Sequence, residues 1–174
     1  KTIDLDLSKI KGLIFRTSDN KVINTGRAEL INNLDMFDFP DREALPLKNY
    51  LDLPGGISKP SAQIITSRGC PFGCIFCAWP QIIYGGNKFR QRSVDNVINE
   101  IKFLKEKYNI KSVYFDDDTF NVNQKFVQDL SKKIIAENID IEWAAMCRAD
   151  IMTEETLVLM KQAREAILKD NWIE

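Results

Sequence analysis

The chain has 174 residues, of which 44% are apolar and 28% charged, a balance that supports one buried core and excludes a disordered chain. Its 24 Lys and Arg nearly cancel its 25 Asp and Glu, so no global field draws nucleic acid or an anionic membrane toward it. No apolar run approaches the roughly 18 residues of a spanning helix, and the opening "KTIDLDLSKIKGLIF" lacks the continuous apolar segment of a secretory signal. The expectation is a cytoplasmic protein without nucleic-acid or membrane partners, whose specificity lies in a local site.

Residues 1–31 alternate apolar and polar side chains, first at Ile3, Leu5 and Leu7. "GLIFR" and "KVINT" then flank the polar "TSDN", the pattern of a β-hairpin. This region reads as the end of an upstream domain or a linker from one. Residues 32–60 carry four of the six prolines and the pair Gly55-Gly56, a composition that favours an extended, packed linker over regular elements. From residue 61 the pattern becomes strand, loop, helix, repeated. "AQIITS" is a strand that runs into a cysteine-rich loop. Ser93 caps a helix with the stripe Val94, Val97, Ile98, Ile101, Leu104 and Tyr108, and "KSVYF" is a second strand. Asn123 caps a second helix with Phe126, Val127, Leu130 and Ile134 inward, "IDIEWAAMCRA" is a third strand, and Thr153 opens a last helix. Strands separated by helices of this length imply right-handed crossovers and a parallel sheet.

"TSRGCPFGCIFCAWP" places Cys70, Cys74 and Cys77 on one loop as CxxxCxxC, and the chain has no histidine. Gly69 and Gly73 suit a loop that wraps its thiolates closely around a metal cluster. A zinc site would need a fourth ligand, for which only the distant Cys147 or a carboxylate remains. For a [4Fe–4S] cluster, three protein thiolates leave one iron open to an exchangeable molecule. Cys147, on the third strand, reads better as a small buried hydrophobe than as a ligand.

With Phe76 just before the last cysteine, this loop after the first strand of an α/β pattern resembles the radical S-adenosylmethionine (radical SAM) superfamily. "FRQRSVDNVINEI", "VYFDDDTFN" and "IEWAAMCRAD" are similar to the first helix, second strand and third strand of its branch with an upstream cobalamin-binding domain. The segment "KGLIFR" to "LINNLDMFDFP" resembles the linker between those domains. The resemblance covers roughly residues 10–162. It implies an α/β fold: a partial (βα) barrel of about three βα units, preceded by a hairpin and linker, with residues 61–174 as the amino-terminal half of a radical SAM domain.

It further implies a [4Fe–4S] cluster on Cys70, Cys74 and Cys77 and reductive cleavage of SAM to a 5′-deoxyadenosyl radical. An electron donor such as flavodoxin or ferredoxin would serve it, and the substrate is unassigned. Kinship with the linker points to cobalamin in a full-length parent that is a methyltransferase or cyclase. Phe76 is expected against the SAM adenine or in core packing. "FDDDTF" stands where the family commonly has Gly-Gly-Glu, which accepts from the SAM amino group. Asp117 and Asp118 are the stand-ins, against an ordinary Asx turn. Arg148, near the end of the third strand, is expected to hold a SAM carboxylate or pair with the aspartates, against a surface ion pair.

Gly85-Gly86 with Arg90 and Arg92 forms no phosphate-binding motif and reads as a turn with helix-entry charges; Lys102, Lys105 and Lys107 read as a solvated helix face. Three βα units cannot close a six-stranded barrel, and "KQAREAILKDNWIE" stays helical where the family continues into a Gly-rich strand. The expectation is therefore a fragment. Two other classes compete with the enzyme: a non-catalytic iron–sulfur electron-transfer module and a zinc-stabilised structural domain.

Overall fold

The computed structural model describes residues 6–50, 54–83 and 85–165. They divide into two compact units between Asn32 and Asn33. In the first, β1 (Ile14–Arg16) pairs antiparallel with β2 (Val22–Asn24), Phe15 lying opposite Ile23. The turn between them needs a left-handed residue, which Asn20 supplies at φ 68, and Thr17 closes it by accepting from the Asn20 N–H and donating its own to Lys21. The alternation expected through Ile3 and Leu5 lies outside the described residues. Leu7 does not continue it, because Asp6 caps a single helical turn at Leu7–Lys9 by accepting from the Ser8 N–H.

The second unit is a three-stranded parallel sheet in the order β3, β6, β7, where β3 is Ser61–Ile64, β6 is Ser112–Phe115 and β7 is Glu142–Ala145. A short antiparallel pair, β4 (Ser67–Arg68) and β5 (Arg90–Gln91), follows the first strand. The helices are α1 (Val94–Tyr108), α2 (Gln124–Ala136) and α3 (Glu154–Glu165). Their starts are chemically marked. Ser93 accepts from the Asn96 N–H at 3.1 Å, Asn123 from Phe126 at 3.2 Å and Thr153 from Thr156 at 3.3 Å. Asn109, at φ 52, ends α1 in the left-handed conformation, with Lys105 and Lys107 beside the negative end of the helix dipole.

One face of the sheet packs on the helices. Val97, Ile98, Ile101 and Leu104 of α1 and Val127, Leu130 and Ile134 of α2 share a core with Ala62, Ile64, Val113, Phe115, Ile141 and Trp143. The central strand β6 is buried at every residue, which is why "SVYF" reads as a continuous rather than an alternating run. Phe115 stacks on Phe120 at 4.8 Å between centroids and meets Trp143 edge-on at 5.5 Å. These elements are the predicted partial barrel: strand, helix, three times over.

Residues 33–60 hold helical turns at Leu34–Met36, Leu47–Asn49 and Pro54–Gly56, and bury Leu34 and Ile57. Gly55, at φ 74, lies so close to β7 that a Cβ would stand 2.7 Å from that of Ala144. Ser58 donates its N–H to Glu142 at 2.8 Å and accepts from the Ser112 hydroxyl at its carbonyl. Arg42 reaches in from this segment to Glu100 of α1, 2.9 Å away, and to the Gln63 carbonyl of β3. Arg92, expected to be a simple helix-entry charge, binds the other Glu100 oxygen at 2.6 Å and the Ile65 carbonyl at 2.9 Å. Glu100 is 1% exposed.

The third strand is shorter than "IDIEWAAMCRA" suggests. After Ala145 the Met146 carbonyl accepts from the Phe120 N–H, and Arg148 pairs with Asn121, so the chain leaves the ladder for a turn at Ala149–Ile151. The helix predicted to continue past Glu165 lies outside the described residues there.

Candidate functional site

The site is built where the three parallel strands end. β3 delivers the cysteine loop, β6 the three aspartates, and β7 Cys147 and Arg148. Gly69, just before the first cysteine, is the tightest point. It sits at φ +89, and a Cβ there would lie 2.0 Å from the Lys88 carbonyl oxygen, a position only glycine can fill. Gly73 has no such requirement; a Cβ would meet only the Asn87 side chain at 3.3 Å. The β4–β5 pair, Ser67 opposite Gln91 and Arg68 opposite Arg90, clamps the two ends of the loop together.

The three loop cysteines and Cys147 are half-buried and free of disulfides. Cys77 closes a turn by donating its N–H to the Cys74 carbonyl at 3.0 Å. The Cys70 sulfur lies 3.8 Å from the Thr119 hydroxyl, and the Cys74 sulfur 3.5 Å from Nη1 of Arg148. Among the described residues no three Cys, Asp or Glu side chains are drawn together as a ready site for a single ion. Phe76 is 89% exposed and Ile75 99%, so neither packs in the core.

The acidic strand end divides by environment. Asp117 is buried, and its Oδ1 accepts from the backbone N–H and hydroxyl of both Thr66 and Ser67, at the point where β3 becomes the loop. Burial pushes its carboxyl above the usual carboxylate range, and those hydrogen bonds pull the other way. Asp116 and Asp118 are exposed. Cys147 packs against the core, and burial, then the charge of Asp117, raises its thiol to about 11.

Arg148 does not reach the strand-end aspartates. Its Nε donates to Asp150 at 2.9 Å and its Nη2 to the second oxygen of that carboxylate, while its guanidinium lies 4.4 Å over the ring of Phe72. The guanidinium is held even more firmly protonated than usual, first by Asp150 and then by Cys74. Its backbone is fixed by the buried Asn121 side chain, which accepts from the Arg148 N–H and donates to its carbonyl, both at 2.8 Å. Sequence reasoning missed Asn121, Thr66, Ser67, Phe72 and Asp150. "DDDTFN" carried a partial signal for Asn121, an amide in a buried turn; Thr66, Ser67 and Phe72 are ordinary residues whose partners lie far along the chain, and Asp150, two residues from Arg148, reads as an ordinary surface carboxylate.

The family model of the radical SAM superfamily matches residues 64–169, well over half of the chain. The chain belongs to the radical SAM superfamily. It is 36% identical over 157 residues to an uncharacterized methyltransferase of Pyrococcus horikoshii, covering 90% of this chain and 33% of that one. It is 30% identical over 166 residues to the anaerobic magnesium-protoporphyrin IX monomethyl ester cyclase of a Synechocystis species, covering 93% and 31%. Among solved structures, the radical SAM methyltransferase TsrM of Kitasatospora setae, with tryptophan substrate and a SAM analogue bound, shares the fold. Its TM-score is 0.67 at 18% identity, over 91% of this chain and 31% of that one. This radical SAM chain thus spans about a third of the length of the curated relatives it matches.

The side chains present suit an iron–sulfur group. Three thiols stand on one loop of this radical SAM chain, a protonated guanidinium and a hydroxyl sit beside two of the sulfurs, and no histidine competes as a ligand. Among the described residues no helix is long and apolar enough to cross a membrane.

Proposed function

We propose that Cys70, Cys74 and Cys77 hold a [4Fe–4S] cluster with one iron left open for SAM, and that the whole protein is a radical SAM enzyme. Bound there, the cluster supplies the single electron for reductive cleavage of the SAM sulfonium. The observation that carries this reading is the cysteine set itself: three sulfurs on a clamped loop at the carboxyl end of a parallel sheet, where open α/β folds place their ligands.

The chain's own residues then divide the work. Gly69 and the β4–β5 clamp hold the loop's ends, and Asp117 fixes where it leaves the sheet. Phe76, exposed beside Cys77, offers an aromatic face to the adenine. Of the two aspartates expected at the SAM ammonium, Asp118 is the one we assign, because the carboxylate of Asp117 is committed to Thr66 and Ser67. Residues 1–31 and 32–60 are read as a hairpin and linker from an upstream domain, and residues 61–174 as the first half of the radical SAM domain.

The similarity to a methyltransferase and to a cyclase supports a methyltransferase or cyclase as the whole protein, and the linker-like segment before the cysteine loop supports its use of cobalamin. It would work in the cytoplasm on a substrate not yet assigned, with a flavodoxin or ferredoxin as electron donor. Anaerobic reconstitution followed by electron paramagnetic resonance of the reduced protein, with and without SAM, is the test. A cluster signal that changes on adding SAM is expected. An unchanged signal would identify an electron-transfer module, and zinc without iron a structural domain. Asp118→Ala is expected to weaken SAM binding about tenfold or more, the loss of a charge-assisted hydrogen bond, while iron content stays at the wild-type level.

A further inference from the structure

Arg148 approaches Cys74, one of the three proposed ligands, and the geometry assigns it a task other than holding SAM. We propose that Arg148 is a positioning residue that sets the reduction potential of the cluster through Cys74, with Asp150 as its counterweight. This rests on the reading of the three cysteines as cluster ligands.

The guanidinium is oriented on three sides. Nε and Nη2 face Asp150, the flat guanidinium lies over the Phe72 ring within the cysteine loop, and Nη1 is left pointing at the Cys74 sulfur at 3.5 Å. Its backbone cannot drift, because Asn121, fully buried, holds both the N–H and the carbonyl. Together these contacts aim Nη1 at the sulfur. A cation that donates to a ligand sulfur stabilises the more negative, reduced state of a cluster, and hydrogen bonds to the sulfurs together with net local charge are recognised determinants of its potential. The Asp150 carboxylate, paired to the opposite edge of the same guanidinium, partly cancels that charge. The two residues therefore push in opposite directions.

The test is a potentiometric titration of the anaerobically reconstituted protein, followed by its paramagnetic signal. Arg148→Met is expected to lower the reduced-to-oxidised ratio at a given potential about tenfold, which is ~59 mV for a one-electron couple. Asp150→Asn is expected to move the midpoint the other way. Arg148→Lys, which keeps a charge but loses the fork, should fall between Met and wild type. SAM affinity is expected to stay within about twofold of wild type in all three, since the Arg148 guanidinium is already engaged by Asp150, Phe72 and Cys74. A midpoint unmoved in both Arg148→Met and Asp150→Asn overturns the proposal, as does a loss of SAM affinity without a potential shift, which would make Arg148 a SAM ligand. Should Arg148→Met fail to retain iron, Asp150→Asn alone decides: an upward shift supports the proposal and any other result overturns it. A wild-type protein that binds no cluster refutes the function proposed above; a wild-type cluster insensitive to both residues refutes this inference alone.

Discussion

A carboxylate that accepts four hydrogen bonds at one oxygen is a joint, and Asp117 is that joint between β3 and the cysteine loop. Asp117→Ala would leave the buried donors of Thr66 and Ser67 unpaired, costing about 1–3 kcal/mol, and is expected to lower both urea stability and iron retention. Cys147 gives a titration that senses the charge of Asp117. With its thiol raised from 9.0 to about 11, chiefly by burial, Cys147 should alkylate at a rate that climbs about tenfold per pH unit until pH nears that value. An acid whose folded pKa is raised favours the fold fully below pH 9 and loses that contribution as pH rises toward about 11. Removing the charge of Asp117 should move the alkylation profile to lower pH, by less than burial raised it. At the tightest backbone point, Gly69→Ala must displace the Lys88 carbonyl and hold alanine at φ +89. Loss of cluster binding at unchanged helix content, by circular dichroism, is the expected outcome.

Helices show how far local chemistry carries. Ser93 and Asn123 announce α1 and α2 because an N-cap needs only a hydroxyl or amide two or three residues from the N–H groups it satisfies, and both form as the sequence predicts. Replacing Ser93 with Ala should cost about 1 kcal/mol in urea unfolding. The stripes of α1 and α2 were legible for the same reason, since a period of 3.6 is written in the chain itself. What was not legible is long-range. Asp117 meets Thr66 across 51 residues, Asn121 meets Arg148 across 27, and Arg42 meets Glu100 across 58. Glu100 is the sharpest case: on a helix face a glutamate reads as solvated, and only two arginines converging from elsewhere explain its burial. The third strand is shorter than its sequence suggests, because "MCRA" continues the apolar run while Asn121 satisfies the backbone of Arg148 in place of a ladder partner. The cysteine loop was legible in composition and spacing. The cation beside Cys74 was not, because Arg148 follows the third strand and its sulfur partner lies 74 residues earlier.

Across the whole second unit, the Arg42, Glu100 and Arg92 network joins three parts that the chain keeps far apart: the proline-rich segment, the edge of β3 and helix α1. The two arginines donate to the Gln63 and Ile65 carbonyls, so an edge that would otherwise offer unpaired backbone groups is covered. Glu100→Ala leaves two largely buried guanidinium groups without their anion, and about 3–5 kcal/mol of stability is expected to be lost in denaturant melts. Glu100→Gln, which keeps an acceptor, should lose less.

Fastening the loop at its base with β4 and β5 also bears on how the site would be filled. Joining the ends of a flexible segment is an entropic cost that an incoming inorganic centre would otherwise have to meet, and here the protein meets it beforehand. A protease that cuts once between Ala78 and Lys88 would strand no sulfur donor, since all three remain on the amino-terminal piece. The severed halves would still be laced together at Ser67–Gln91 and Arg68–Arg90.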